Sequence, residues 1–241
     1  MAKVSICIPT FGQPDHLNNL LDSIFHQSYD EYEIIITDDT RDNSVYNIVT
    51  KYNEIRKIKY FKNKEILGSP ENWNESIRRS EGEFIKIMHH DDLFTYDHSL
   101  KDFVNILEKN NHINFVFSAT KMVPHLSNNH WYKSPTKVQL EKLSKDPTTL
   151  FYKNFIPTPS ATFIRKSKVD ILFDSNLIWA VDIDYYIKVL IDNDYLYIDK
   201  PLITINHNNE NQITFQVEND KDINLYELFY VYEKIYKYNF S

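Results

Sequence analysis

Carboxylates and imidazoles gather at four places in this chain: Asp38-Asp39, His89-His90-Asp91-Asp92, Asp182 with Asp184, and His207. Three of these follow directly on apolar runs, "YEIIIT", "EFIKIM" and "LITIN". Adjacent carboxylates repel, so holding Asp91 and Asp92 together costs stability unless a cation is close. Hard oxygen ligands suit Mg²⁺ or Mn²⁺, and a nearby imidazole tilts the choice towards Mn²⁺. Taken alone, Asp38-Asp39 reads equally well as a turn cap, and His90 as a histidine closing a strand. Other chemistries lack their residues. The chain has no G-x-G-x-x-G, no G-x-x-x-x-G-K-[ST] and no G-x-S-x-G, which removes the usual dinucleotide, P-loop and hydrolase signatures. A C-x-x-C zinc pair is impossible with one cysteine. Cys7, within "VSICI", reads as a small core residue.

These groups need elements to hold them. "KVSICIPT" is a buried strand, and from Leu17 the apolar spacing becomes helical through Leu20, Leu21, Ile24 and Phe25. "YEIIIT", "KIKYFKN", "EFIKIM" and "NFVFSA" read as further strands, with helices over 43–52, 70–79 and 97–109 between them. Ser69 followed by Pro70 predicts an N-cap and first-turn pair. Alternating strands and helices imply parallel pairing with right-handed crossovers. Thr10, Asp39 and the His89–Asp92 cluster then fall at carboxyl ends of strands, where open α/β sheets bind ligands. The second half is less regular. Positions 123–147 read as a polar loop with helical pieces, "FIPTPSATFIR" as an extended segment, "WAVDIDYYIKVLIDN" as a helix and "YLYIDKPLITINH" as a strand. The C-terminal "NLYELFYVYEKIYKY" predicts an amphipathic helix with Leu225, Leu228, Phe229, Tyr232, Ile235 and Tyr236 in one stripe.

Composition narrows the class. The 241 residues are 42% hydrophobic and 25% charged, enough for a sizeable core, and the net charge of −7 argues against a nucleic-acid binder. One cysteine excludes an internal disulfide framework and predicts a reducing compartment. The opening "MAKVSICIPTFGQ" is broken too early by Pro9 to act as a signal peptide. No apolar run approaches the ~18 residues of a membrane span.

Five stretches in order resemble the inverting glycosyltransferases of family 2: "VSICIPTFGQPDHLNNLLDSIFHQSYDEYEIIITDD", "LGSPENWNESIRRSEGEF", "IKIMHHDDLF", "VDIDYYIKVL" and "ITINHNNENQIT". The resemblance covers about residues 3–210. It implies the GT-A fold: a single α/β, Rossmann-like domain with a mainly parallel central sheet flanked by helices, followed by a C-terminal amphipathic helix. Within it, 1–120 would form the nucleotide-sugar-binding half, 121–210 the acceptor-binding and catalytic half, and 211–241 a helical appendage.

The resemblance also implies roles. Pro9, Thr10, Phe11, Asp39, Gly68, Asn72 and Asp91 would bind the donor, with Phe11 stacking on the base and Asp39 accepting from a base N–H. Asp92 and His207 would bind a divalent metal, Mn²⁺ or Mg²⁺. Asp182 would be the general base on the acceptor hydroxyl. The chain departs from the family pattern at His89, usually Asp, at Val181, usually Glu, and at Ile205, often Arg. Asp184 lies about 200° round the helix from Asp182 and reads as structural. The expected donor is a nucleotide-diphosphosugar, a UDP-sugar first. The expected acceptor is a saccharide or lipid-linked saccharide. The expected place is the cytoplasm, at the inner face of its membrane, with peripheral membrane association or a homodimer through the last helix. Two other classes use the same residues. A metal-dependent phosphohydrolase would use His89, His90, Asp91, Asp92 and His207. A non-catalytic saccharide-binding module would need no base at Asp182.

Overall fold

In the computed structural model the described residues are 2–52, 58–124, 129–166, 172–207, 217 and 220–240. β1 (Val4–Thr10) leads through α1 (Pro14–Phe25) to β2 (Tyr32–Asp38), then through α2 (Ser44–Tyr52) to β3 (Ile58–Lys62). α3 (Glu71–Arg78), β4 (Phe84–Ile87), β5 (Asp92–Phe94), α4 (Ser99–Lys109) and β6 (Phe115–Pro124) follow. β7 (Trp131–Lys133), α5 (Lys137–Leu143), α6 (Thr149–Tyr152), a 3₁₀ turn (Pro159–Ala161) and β8 (Thr162–Arg165) come next. α7 (Val181–Ile191), β9 (Tyr195–His207) and α8 (Lys221–Phe240) complete the described chain.

The strands form one sheet in the order β3-β2-β1-β4-β8-β6-β9-β5, with β7 on β6. Pairing is parallel across β3-β2-β1-β4 and between β6 and β9, and antiparallel at β4-β8, β6-β8, β6-β7 and β5-β9. All seven residues of β1 are buried, as a central strand covered on both faces requires. Successive side chains serve opposite layers. Val4, Ile6 and Ile8 pack with α1, α2 and α4, while Cys7, Ile85 and Ile87 pack with α3, α7 and α8. Cys7 is therefore the core residue its apolar setting suggests.

Three local expectations are corrected. Ser69 does not cap α3: the cap position is Pro70, with no side-chain hydrogen bond, and Ser69 Oγ is buried without one. The loop foreseen over 123–147 holds a helical piece as expected, α5, closed by a Thr136–Gln139 capping box, but it also carries the strand β7. The stripe foreseen on the last helix divides. Val231 and Ile235 dock on the core, but Leu225, Phe229, Tyr232 and Tyr236 are exposed. A helical pattern records which residues are apolar, not which side finds a partner.

Candidate active site

The carboxyl ends of β1, β2 and β4, the start of β5 and the start of α7 converge. At the end of β1, Thr10 is buried, and its hydroxyl donates to the Asp38 carboxylate at 3.2 Å. Phe11, directly after it, is 59% exposed. That exposure removes a core-packing role and leaves a ring face available for stacking. Gly12 and Gln13 both have positive φ, 64° and 52°. This turns the chain sharply into α1, and glycine reaches that region without the steric penalty that Gln13 bears. The Gly12 N–H donates to Thr40 Oγ1 at 2.7 Å, tying the turn to the end of β2.

Asp38 and Asp39 divide their work. Asp38 is fully buried and accepts from Thr10, the Thr40 N–H, the Tyr60 hydroxyl and Lys62. It fixes the strand ends. Asp39 accepts from Asn63 Nδ2, the Leu67 N–H and the Gly68 N–H at 2.8, 3.1 and 2.9 Å. A carboxylate offers about four acceptor positions, so Asp39 keeps one for a further donor. Gly68 sits at φ 71°, the left-handed region where a side chain is strained. Asn72 is buried. Its amide reaches the carbonyls of Thr10 and Thr37 at 3.2 and 3.3 Å and accepts from Asn63 at 2.9 Å. It stitches β1, β2 and α3 together beneath the turn.

The β4–β5 connection carries the opening cluster. His89 stacks against Trp73 with ring centroids 4.6 Å apart, and its Nδ1 lies 3.2 Å from the Thr158 hydroxyl. Burial pushes its pKa down to about 4, so the ring is neutral near pH 7. His90 is also held neutral by burial, bonded to the Pro9 backbone, with its ring 6.3 Å from that of His16. Nε2 of each ring is buried without a protein hydrogen bond. Asp92, 2% exposed, pairs with Ile205 in β9. Burial and the charge of Asp91 push its carboxyl well above the usual range, while Ser160 and Lys86 partly oppose them.

Lys86 is the residue that sequence reasoning passed over. It lies mid-strand in "FIKIM", fully buried, with its ammonium group donating to the carbonyls of Ser160 and Thr162 and sitting 4.6 Å from the Phe103 ring centroid. A lysine in an otherwise apolar strand was the available signal. Ser160 was missed as well. Its Oγ accepts from the His89 N–H at 2.9 Å, and its side chain also bonds Asp92. Nothing in "PTPSATF" singles it out.

Asp182, in the first turn of α7, has its pKa pushed up to about 7 by burial, against the pull of Lys133 in β7. Its charge also acts on Asp92 and on Tyr186, which places the carboxylate beside the strand-end cluster. Asp184 belongs elsewhere: it forms an ion pair with Lys234 of α8 at 2.6 Å. The backbone of His207 ends β9 opposite Pro124, and its side chain, with the metal role foreseen for it, lies outside the described residues.

The donor set fits a hard cation in part. Asp92 is buried beside Asp91 with less positive charge than two carboxylates need, and a divalent ion would relieve their repulsion. Among the described residues no third carboxylate, histidine or cysteine completes a ligand cluster. The remaining ligands would have to come from outside that set, diphosphate oxygens among them.

A parallel first half joined to a mixed second half, with carboxylates at the strand ends and one more at a helix start, is the arrangement of a GT-A glycosyltransferase. Residues 5–173 match the family described as Glycosyl transferase family 2, and the chain belongs to that family. An uncharacterised glycosyltransferase of Rickettsia typhi is 28% identical over 193 residues, covering 78% of this chain and 58% of its own length. The poly(ribitol-phosphate) β-N-acetylglucosaminyltransferase TarP of Staphylococcus aureus is 30% identical over 115 residues, 46% of this chain and 35% of TarP. The fold matches residues 1–349 of S. aureus TarS in complex with UDP-GlcNAc, with a TM-score of 0.69 at 20% identity, covering 88% of this chain and 60% of that one. It also matches the mannosyltransferase PcManGT of Pyrobaculum calidifontis, in complex with GDP-Man and Mn²⁺, with a TM-score of 0.60 at 14% identity over 84% of this chain and 56% of that one. This chain thus spans under two thirds of each of these relatives. Among the described residues no helix is long and apolar enough to cross a membrane.

Proposed function

We propose that this glycosyltransferase moves a sugar, with inversion, from a UDP-sugar to a hydroxyl of a saccharide or lipid-linked saccharide, with Mn²⁺ or Mg²⁺ at the diphosphate. The observation that carries the reading is the placing of Asp182 in the first turn of α7, near the strand-end cluster, where burial raises its pKa to about 7. A base works best with a pKa near the operating pH. Asp182 takes the proton of the acceptor hydroxyl. The acceptor oxygen forms its bond to the anomeric carbon from one side as the bond to the β-phosphate oxygen breaks on the other. The electron pair of that bond leaves with UDP. The exposed Phe11 ring stacks on the base, and Asp39 accepts a base N–H with its remaining position. Asp92 would hold the metal ion, which when bound would offset the charge developing on the departing diphosphate, and Asp91 would contact the donor. The UDP-GlcNAc bound in the TarS structure supports the donor class, and the Mn²⁺ in the mannosyltransferase structure supports a divalent ion.

The same reading places the enzyme in the cytoplasm. Any contact with a membrane or a second copy would fall on the exposed face of α8, where Glu233 and Lys237 mix charge with the aromatic rings.

The test is calorimetric titration with UDP, GDP, dTDP and CMP, with and without Mn²⁺, followed by transfer assays on UDP-sugars. UDP binding strengthened by Mn²⁺ is expected. Equal affinity for all four nucleotides, or none for any, would remove the donor assignment.

A further inference from the structure

The start of α7 is unusual for a helix that carries a catalytic carboxylate. Its cap position is Ala180, which has no side chain to accept from the first amides. The turn that leads into the helix is instead held from a distant part of the chain. The N–H groups of Ile178, Trp179 and Ala180 converge on the carboxylate of Glu227 in α8, at 2.7, 2.9 and 2.7 Å. Glu227 is 2% exposed, and Val231 and Ile235 bury the same side of α8 against the core. Two helical turns beyond Glu227, Lys234 pairs with Asp174 at 2.9 Å and Asp184 at 2.6 Å. α8 thus grips the chain on both sides of Asp182.

We propose that Glu227 is a positioning residue for the general base: by holding the three backbone N–H groups just before α7 it fixes the turn that presents Asp182 to the acceptor. The inference rests on Asp182 being the base. An external carboxylate suits this place, because three aligned N–H groups and the positive end of the helix dipole both favour negative charge. Only Val181 separates Ala180 from Asp182, so a shift in this turn moves the carboxylate directly. The nucleotide site, held by β1, β2 and α3, shares no hydrogen bond with Glu227. The C-terminal helix therefore belongs to the catalytic geometry through its contacts on both sides of Asp182.

Glu227→Gln tests this. One arm of the new amide is a donor, so at least one of the three N–H groups loses its acceptor. Val231→Ala on the same helix loosens packing but keeps the carboxylate, and Asp182→Asn is measured beside both. UDP release from UDP-GlcNAc, UDP-glucose and UDP-galactose with Mn²⁺ reports turnover with water as acceptor. Calorimetry with UDP and Mn²⁺ reports the donor site. Glu227→Gln is expected to lower kcat about tenfold or more, since small misplacements of a reacting group carry such costs. UDP affinity is expected to stay within about twofold, and Val231→Ala to keep wild-type kcat.

Hydrogen exchange supplies a readout without turnover: Glu227→Gln should speed exchange over 178–186 and leave β1 and β2 unchanged, which Val231→Ala should not reproduce. Wild-type kcat in folded Glu227→Gln, or unchanged exchange over 178–186, overturns the proposal. So does an equal loss of kcat in both α8 variants. If Asp182→Asn itself turns over at the wild-type rate, the base assignment fails first, and the inference with it.

Discussion

Asp182 lies in a setting that opposes its own charge. Burial raises its pKa to about 7, so the ionised form, which the reaction needs, is disfavoured in the folded state. Two consequences follow. Asp182→Asn is expected to slow transfer by roughly 10²–10⁴-fold, read as single-turnover rate, with UDP affinity within a few-fold of wild type. Stability moves the other way. A carboxyl raised above its unfolded value of 3.8 gives the folded state an advantage that is complete below that value and is lost as pH rises through about 7. The melting temperature of wild type relative to Asp182→Asn should therefore fall between pH 4 and pH 8 in the absence of ligand. A flat difference across that range would mean the carboxylate is solvated. Phe11 makes a separate case. Because it is 59% exposed, Phe11→Ala should leave the melting temperature unchanged and weaken UDP binding by about 0.5–1.5 kcal/mol, the worth of one aromatic contact. Unchanged calorimetric affinity would take the ring out of the base site.

Elements position these residues through close contacts as much as through hydrogen bonds. Gly82 sits where α3 returns to β4, and its N–H donates to Ser5 Oγ at 2.8 Å. A Cβ there would lie 2.7 Å from the Ser5 backbone nitrogen and 2.9 Å from the Val4 carbonyl carbon. The obstacle is backbone, which has little room to give. Gly82→Ala is expected to cost about 1–3 kcal/mol, read as a lower denaturation midpoint with unchanged m-value. The early elements were readable because each carries its own periodicity: β1, β2 and β4 as apolar runs, α1 through Leu17, Leu20, Leu21 and Ile24. β5, three residues long, has no such signature. It exists because Asp92, Leu93 and Phe94 find Ile205, Thr204 and Ile203 across the sheet. The capping role foreseen for Ser69 fails for a related reason, since the chain enters α3 with Asn72 N–H bonded to the Gly68 carbonyl and no side chain in the cap.

At the scale of the whole molecule, the two halves should report on each other through ligand binding. UDP with Mn²⁺ at 100 times its Kd should stabilise the fold by roughly 2.7 kcal/mol, seen as a rise in melting temperature. Asp92→Ala should lose the Mn²⁺-dependent part of that rise. It should also make the ligand-free protein more stable near neutral pH, because it removes a buried carboxylate whose charged form is disfavoured. An Asp92→Ala protein that keeps the full Mn²⁺ response would move the metal site away from β5.

The family, the order of strands and helices in the first half apart from β5, and the placing of Thr10, Asp39, Asp91, Asp92 and Asp182 at element ends could all be read from the residues in line. Strand and helix periods are local properties, and the polar groups interrupt them where the elements stop. The mixed pairing of the second half, the neutral His89 packed on Trp73 and Thr158, and the Lys86–Ser160 pair beside Asp92 could not. Neither could the side of α8 that docks, or the Glu227 carboxylate that holds the turn before α7 from 47 positions away. Those features join residues far apart in the chain, and their energies depend on burial and on partners that exist only once the sheet has closed.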